Sequence, residues 1–250
     1  MSYRKRAKGC ILTVALSLVA VAVPASTLPA SALAAPGDGS PTAIDYPAFP
    51  DAGTLSLNGT AAIEPQSQVL RLTGGGFRQS GSAWAAQPID LTRSFDTTFQ
   101  AYLHAGANRA DGIAFLVQAV GPRALGGWGG GLGYRGIRPS VAVELDDFRN
   151  VGDPAGDHVG VVLRGNPDFH LATAPTGIPL YGSPISVRIS YDAPTHHLTA
   201  YVGSAEPTLS ATVDLATEVG GQAWAGFTGA TGSATSTQDI LSWRLSSPAA

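Results

Sequence analysis

The chain has 250 residues, a formal charge of -3, and one Cys and one Met. A single thiol excludes a disulfide-stapled scaffold, and the acidic balance without a basic cluster excludes a nucleic-acid partner. Four of the basic residues (Arg4, Lys5, Arg6 and Lys8) stand at the start, so residues 35–250 carry a formal -7, with no Cys and no Lys.

Those four residues open a secretory signal pattern: a basic segment, an apolar stretch from Cys10 to Val23, and the small-x-small site Ala32-Leu33-Ala34. The apolar stretch is too short to span a bilayer comfortably, so cleavage after Ala34 and secretion without membrane insertion are expected. Residues 35–48 are rich in Pro, Gly and small side chains and read as a flexible lead-in. The remainder, 49–247, reads as one domain.

Within that domain, short apolar alternations are broken by turn residues at fairly regular intervals. Phe95, Thr97, Phe99, Ala101 and Leu103 form one, Ile185, Val187, Ile189 and Tyr191 another, and Leu241, Trp243 and Leu245 a third. Runs 112–120 and 222–228 are apolar almost throughout, which predicts central strands covered on both faces. The Gly-rich run 126–133 between them must be a loop, and no window carries a useful helical period. An all-β antiparallel sandwich follows. Trp84, Trp224 and Trp243 sit in strand-like runs and are expected in its core. His170, His196 and His197 show no ligand spacing and are expected at the surface or in turns. Asn58-Gly59-Thr60 is a glycosylation sequon.

The segment VAVELDDFRNVGDPAGDHVGV at 141–161 holds most of the functional chemistry. Side chains two apart on a strand leave the same face, so Glu144 and Asp146 share one, joined by Asn150 if the strand runs that far. Asp153 and His158 follow a turn marked by Gly152, Pro154 and Gly156. Paired carboxylates on one face repel unless a cation lies between them. Asp146, Asn150, Asp153 and the Phe148 carbonyl are the oxygen set calcium takes. Glu144, Asp146, Asp153 and His158 combine carboxylate with imidazole, as a transition metal prefers. A solvated acidic loop is the competing reading of the same spacing.

The segment also resembles the metal-binding stretch of legume-type (L-type) lectins. Three others agree with it in order: ADGIAF at 110–115, GGGLGY at 129–134 and GQAWAGFTGATG at 221–232, with QSGSAW at 79–84 and DILSW at 239–243 similar to core segments. The resemblance spans about residues 50–246 and implies a concanavalin A-like jelly roll. It implies manganese or another divalent transition metal at Glu144, Asp146, Asp153 and His158, and calcium at Asp146, the Phe148 carbonyl, Asn150 and Asp153. It further implies a carbohydrate or glycoconjugate partner held by Asp111, Gly130 and Asn150 against the Phe148 ring, and a cis peptide between Ala110 and Asp111. The short variable loop after Gly229 nominates Gly232, Ser233 and Ala234 as further sugar contacts, and Trp128 in the Gly loop is nominated as an extension of the platform. The stretch from Asn150 to Asp153 is two residues shorter than in plant members, and Asp147 stands where Thr is frequent.

Two other functions compete. A hydrolase on this fold needs two carboxylates flanking the scissile bond, and related hydrolases carry Glu-x-Asp-x-Glu on the strand. Here Phe148 occupies the third position, and the other glutamates, Glu64, Glu206 and Glu218, lie in no comparable motif. A structural or adhesive domain would have lost sugar ligands that are retained here. The expectation is therefore a secreted, non-enzymatic carbohydrate-binding protein, with edge-strand pairing the natural route to a homodimer.

Overall fold

The computed structural model describes residues 42–106, 108–154 and 156–247; the signal segment and residues 35–41 of the lead-in lie outside them. In chain order the strands are β1 (Thr42–Tyr46), β2 (Ser56–Gly59), β3 (Ala62–Glu64), β4 (Val69–Gly74), β5 (Ser80–Trp84), β6 (Ile89–Asp90), β7 (Phe95–Leu103) and β8 (Gly112–Gln118). They continue with β9 (Ser140–Asp146), β10 (His158–Leu163), β11 (His170–Pro175), β12 (Ile185–Asp192), β13 (His197–Val202), β14 (Leu209–Thr212), β15 (Gln222–Ala230) and β16 (Thr237–Ser246). Among the described residues one short α-helix, α1 (Leu215–Val219), is capped by Asp214, whose carboxylate accepts from the Thr217 amide at 2.9 Å.

Two antiparallel sheets result. The first runs β14-β13-β12-β7-β16-β4-β3 with β1 also paired to β16, and the second runs β11-β10-β9-β8-β15-β5-β2 with β6 beside β15. Strand β1 corrects the lead-in reading: residues 42–46 pair with β16 rather than remaining outside the domain.

The strand periodicity explains the layers. On β8 and β9, Ile113, Phe115, Val117, Val141, Val143 and Leu145 face the first sheet and share its main core. The alternating residues Ala114, Leu116 and Ala142 face outward into a second apolar cluster with Trp84, Ala124, Leu132, Tyr134 and Ile137. Four of these, Ala124, Leu132, Tyr134 and Ile137, belong to the loop between β8 and β9, which therefore forms a third layer over the second sheet. Both faces are covered, and β8 reads as an almost unbroken apolar run for that reason, whereas on β9 the apolar residues 141–143 give way to Glu144 and Asp146. Trp84 and Trp243 are fully buried as expected, with the Trp84 indole donating to the Ala124 carbonyl at 2.8 Å. Trp224 is partly buried against the second cluster.

One alternation is displaced. Leu241 is an extra residue between the paired positions Ile240 and Ser242, so Ile240, not Leu241, enters the core ahead of Trp243 and Leu245. A β-bulge of this kind reverses side-chain parity beyond it.

The sheets meet through aromatic rings. Phe227 on β15 packs edge-on against Phe99 at 4.9 Å, Trp243 at 4.9 Å and Phe115 at 5.8 Å between centroids. Phe227→Ala would empty the centre of this cluster and is expected to cost about 3–5 kcal/mol. Urea denaturation should show the loss as a lower midpoint at unchanged slope.

Candidate functional site

The site forms where β8, β9 and β10 end beneath the third layer. Glu144 and Asp146 project outward from β9. On the neighbouring strand, Gly160 stands opposite Glu144 and His158 opposite Asp146. Glu144, Asp146 and His158 are buried, and Asp153 is half-buried. Strand β9 stops at Asp146, so the alternation does not carry Asn150 onto this face. The following loop folds back instead. The Phe148 amide donates to Asp146 Oδ1 at 2.7 Å, and the Asn150 amide donates to Asp153 Oδ2 at 2.6 Å.

Two clusters share His158. Ligating atoms of Asp146, Asp153 and His158 lie within 4.8 Å of one another, as do those of Glu144, His158 and His170. The second cluster corrects the reading of His170 as a surface or turn residue: its side chain is mostly buried, and Nε2 lies 2.5 Å from Glu144 Oε1. Tyr134, also unanticipated, donates its hydroxyl to the other oxygen of Glu144. His196 and His197 lie, as expected, at the turn between β12 and β13.

Charge is concentrated here. Burial pushes the Asp146 carboxyl well above its usual range, reinforced by Glu144, Asp153 and Asp147. Burial also opposes ionisation of Glu144, but His158, His170 and Tyr134 together hold it below the ordinary value. His158 Nε2 is buried without a hydrogen-bond partner, since Glu144 Oε1 at 3.6 Å is beyond bonding distance. An unpartnered imidazole nitrogen facing buried carboxylates is the donor set of a divalent transition metal, and the Asp146, Asn150 and Asp153 oxygens suit calcium. The residues fit the cations.

Asp111 stands beside this cluster. The Ala110–Asp111 peptide is cis, matching the resemblance. The Asp111 amide donates to the Ala230 carbonyl at 2.9 Å, and its carbonyl accepts from the Asp147 amide at 3.1 Å. Its side chain is 4% exposed, and Oδ2 has no hydrogen-bond partner. Burial, with the Asp147 charge, raises its pKa to about 7. Asp147 is itself raised to about 6, chiefly by burial, with Arg109 opposing.

The Gly loop lies against these groups. A Cβ on Gly130 would stand 3.0 Å from the Asn150 amide atoms, and one on Gly232 would stand 3.4 Å from Asp111 Oδ2. Glycine thus lets two backbones approach the acceptor side chains. Gly130 therefore lies against Asn150, and Asp111 lies beside Gly129 and Gly232 of the same group of loops. Ser233 is exposed on the loop beyond, and it is the Gly232 backbone that reaches Asp111. Phe148 and Trp128 both offer exposed rings, 37% and 52%, and the Arg78 guanidinium lies 5.0 Å from the Trp128 ring centroid.

The raised pKa values have a measurable consequence. An unfolded Asp ionises near 3.8, whereas native Asp111 and Asp147 hold their protons to about 7 and about 6. Cation-free stability is therefore lost as pH rises through that window. A bound cation favours the ionised forms and reverses the trend. Calcium and manganese should raise Tm more at pH 8 than at pH 5 in a thermal melt; equal increments would contradict the electrostatic account.

A two-sheet jelly roll with two clusters of potential cation ligands beneath a glycine loop, beside a buried carboxylate oxygen without a partner, is consistent with a carbohydrate-binding domain of the lectin class. Residues 50–242 match the legume lectin beta-barrel domain, and the chain belongs to that family. It is 32% identical over 197 residues to the basic agglutinin of Psophocarpus tetragonolobus, covering 68% of this chain and 78% of the relative. It is 33% identical over 232 residues to the seed lectin of Styphnolobium japonicum, covering 82% and 78%. The structure of basic winged bean lectin with Tn-antigen superposes with a TM-score of 0.73 at 28% identity, covering 82% of this chain and 97% of that one. These relatives are lectins, and the family places the chain among sugar-binding proteins rather than enzymes. No helix among the described residues is long and apolar enough to cross a membrane.

Proposed function

We propose that the chain is a secreted lectin, released after removal of residues 1–34, that binds glycoconjugates reversibly through Asp111, Gly130 and Asn150. The observation that carries this reading is Asp111 Oδ2, buried yet without a partner beside the backbones of Gly129 and Gly232, with the Asn150 side chain against the adjacent Gly130. A carboxylate held in this way is ready to accept from sugar hydroxyls, while Phe148 supplies an apolar ring face.

Calcium would be held by Asp146, Asn150, Asp153 and the Phe148 carbonyl, and manganese or a similar ion by Glu144, Asp146, Asp153 and His158. Bound, the cations neutralise the carboxylates and fix the 147–157 loop. Asn150 then keeps its amide against Gly130, which couples sugar affinity to cation occupancy.

Structures of related lectins carry N-acetylgalactosamine, in the Bauhinia forficata lectin, and methyl-alpha-D-galactose, in winged bean acidic lectin. Those two sugars are the first to test by titration calorimetry on the cation-loaded protein. Hapten-inhibitable glycan binding without release of reducing sugar is the expected result; hydrolysis of the bound glycan would overturn the reading.

A further inference from the structure

The His170 imidazole has no part in the ligand set just described, yet it occupies the same cluster. We propose that His170 is a direct ligand of the transition-metal ion held by Glu144 and His158, which makes this a two-imidazole site. The inference rests on the metal reading above and extends it by one residue and by the class of ion preferred.

The first support is how the backbone delivers the side chain. Strand β11 pairs Ala172 with Val161 but His170 with Val162, leaving Leu171 as an extra residue between them. Val161 lies in the core between the sheets and Val162 in the outer cluster, so their directly paired neighbours face inward and outward in turn. Without the bulge, His170 would share the inward face of Ala172 and Ala174. With it, His170 turns outward, onto the face that carries Glu144 and His158. Bulges re-aim single side chains in this way and are common beside functional sites.

The second support is the space made for the ring. A Cβ on Gly160 would lie 2.6 Å from His170 Cδ2 and 2.8 Å from Glu144 Oε1. A Cβ at this strand position would push the imidazole or the carboxylate from its present place.

The third support is the geometry of the nitrogens. Nε2 of His170 and Nε2 of His158 approach the same oxygen of Glu144, at 2.5 Å and 3.6 Å. The two rings are 5.4 Å apart between centroids and inclined at 76°. Bonds of about 2.0–2.2 Å to a shared ion separate two ligand atoms by at most about 4.4 Å. Both separations fall inside that limit, and the shorter one opens by a few tenths of an ångström to accommodate an ion at neighbouring positions. His158 Nε2 already lacks a partner. A Glu144–His170 hydrogen bond alone would leave it so.

Carboxylates suit manganese, whereas added imidazoles favour zinc, copper or nickel. The site should therefore prefer such ions over manganese more strongly than a site with one imidazole.

The test is pulsed EPR on the chelator-stripped mature protein, reloaded with calcium and one equivalent of Cu²⁺, to count coordinated imidazole nitrogens. Two are expected in the wild type and one in His170→Gln and in His158→Gln. Zinc affinity should fall at least tenfold in His170→Gln, with manganese affinity falling less. A positioning role for His170 would also lower affinity, but it would not change the nitrogen count. A wild-type spectrum with one imidazole, lost in His158→Gln, overturns the His170 assignment and leaves the underlying site standing. A wild type that binds no transition metal overturns both. The wild-type spectrum decides the question even if a variant fails to fold.

Discussion

Asp111→Asn is expected to lower sugar affinity about 100-fold without lowering stability. The change keeps the shape of the side chain but replaces one of the acceptor oxygens with an NH₂ donor and removes the charge. Hydrogen bonds to charged groups contribute about 1.5–3 kcal/mol each. Loss of one such bond and weakening of the other to a neutral one, about 3 kcal/mol together, corresponds to a factor of about 100 in Kd, since about 1.4 kcal/mol is tenfold. Stability should hold or rise because the native carboxylate is buried with Oδ2 unpartnered, an arrangement that disfavours the folded state until sugar or a cation is near. Calorimetry and a thermal melt on the same preparation separate the two effects. Sugar affinity within twofold of wild type would show that another group is the acceptor. A large fall in Tm would show that Asp111 is structural.

Asp146→Ala is expected to have the largest effect on stability in the presence of cations. Asp146 belongs to both proposed ligand sets, and its Oδ1 also accepts the Phe148 amide at the start of the loop. A ligand at 100 times its Kd stabilises the native state by about 2.7 kcal/mol, so two ions contribute about 5 kcal/mol. At about 2–4 °C per kcal/mol for a domain of this size, the wild type should gain roughly 10–20 °C on cation loading and the variant almost none. In chelator the order narrows or reverses, because removing Asp146 relieves its repulsion with Glu144, Asp153 and Asp147. Sugar binding should vanish with the cations, since Asn150 would lose the loop geometry that sets it against Gly130. A variant that melts like wild type in both conditions would separate Asp146 from the cations.

How far the sequence disclosed this depended on whether a residue's place is set by its own strand or by a neighbour. Strands β7 and β12 coincide with the alternations starting at Phe95 and Ile185, because inward and outward residues there differ in polarity. Strand β8 announced its two-sided burial by an unbroken apolar run, although the identity of the covering layer, the loop carrying Leu132 and Tyr134, was not legible. Glu144 and Asp146 were legible as a pair by simple spacing. Asn150 was reached by the wrong route: strand β9 ends before it, and the loop's hydrogen bonds to Asp146 and Asp153 bring it back.

The misplacements share a physical origin. Leu241 was assigned by alternation and His170 by its lack of ligand spacing along the chain, and a bulge lies at or next to each. A bulge is a property of two paired strands, and a single strand's pattern does not contain the partner's register. Strand β1 was hidden for a related reason: the five residues 42–46 follow a run rich in Pro, Gly and small side chains, and they form a strand because β16 pairs with them. Of the loop residues nominated, Gly232, Ser233 and Ala234, it is Gly232 whose backbone approaches Asp111, where a side chain would intrude, while Ser233 stands exposed beyond it.

The central claim is that cations organise a sugar site whose acceptor is Asp111. A glycan array probed with the same preparation in cation-loaded and chelated form tests it most directly. Binding that is present with calcium and manganese, lost in chelator and restored on adding the ions back is the predicted result. Equal binding in both forms would contradict the account.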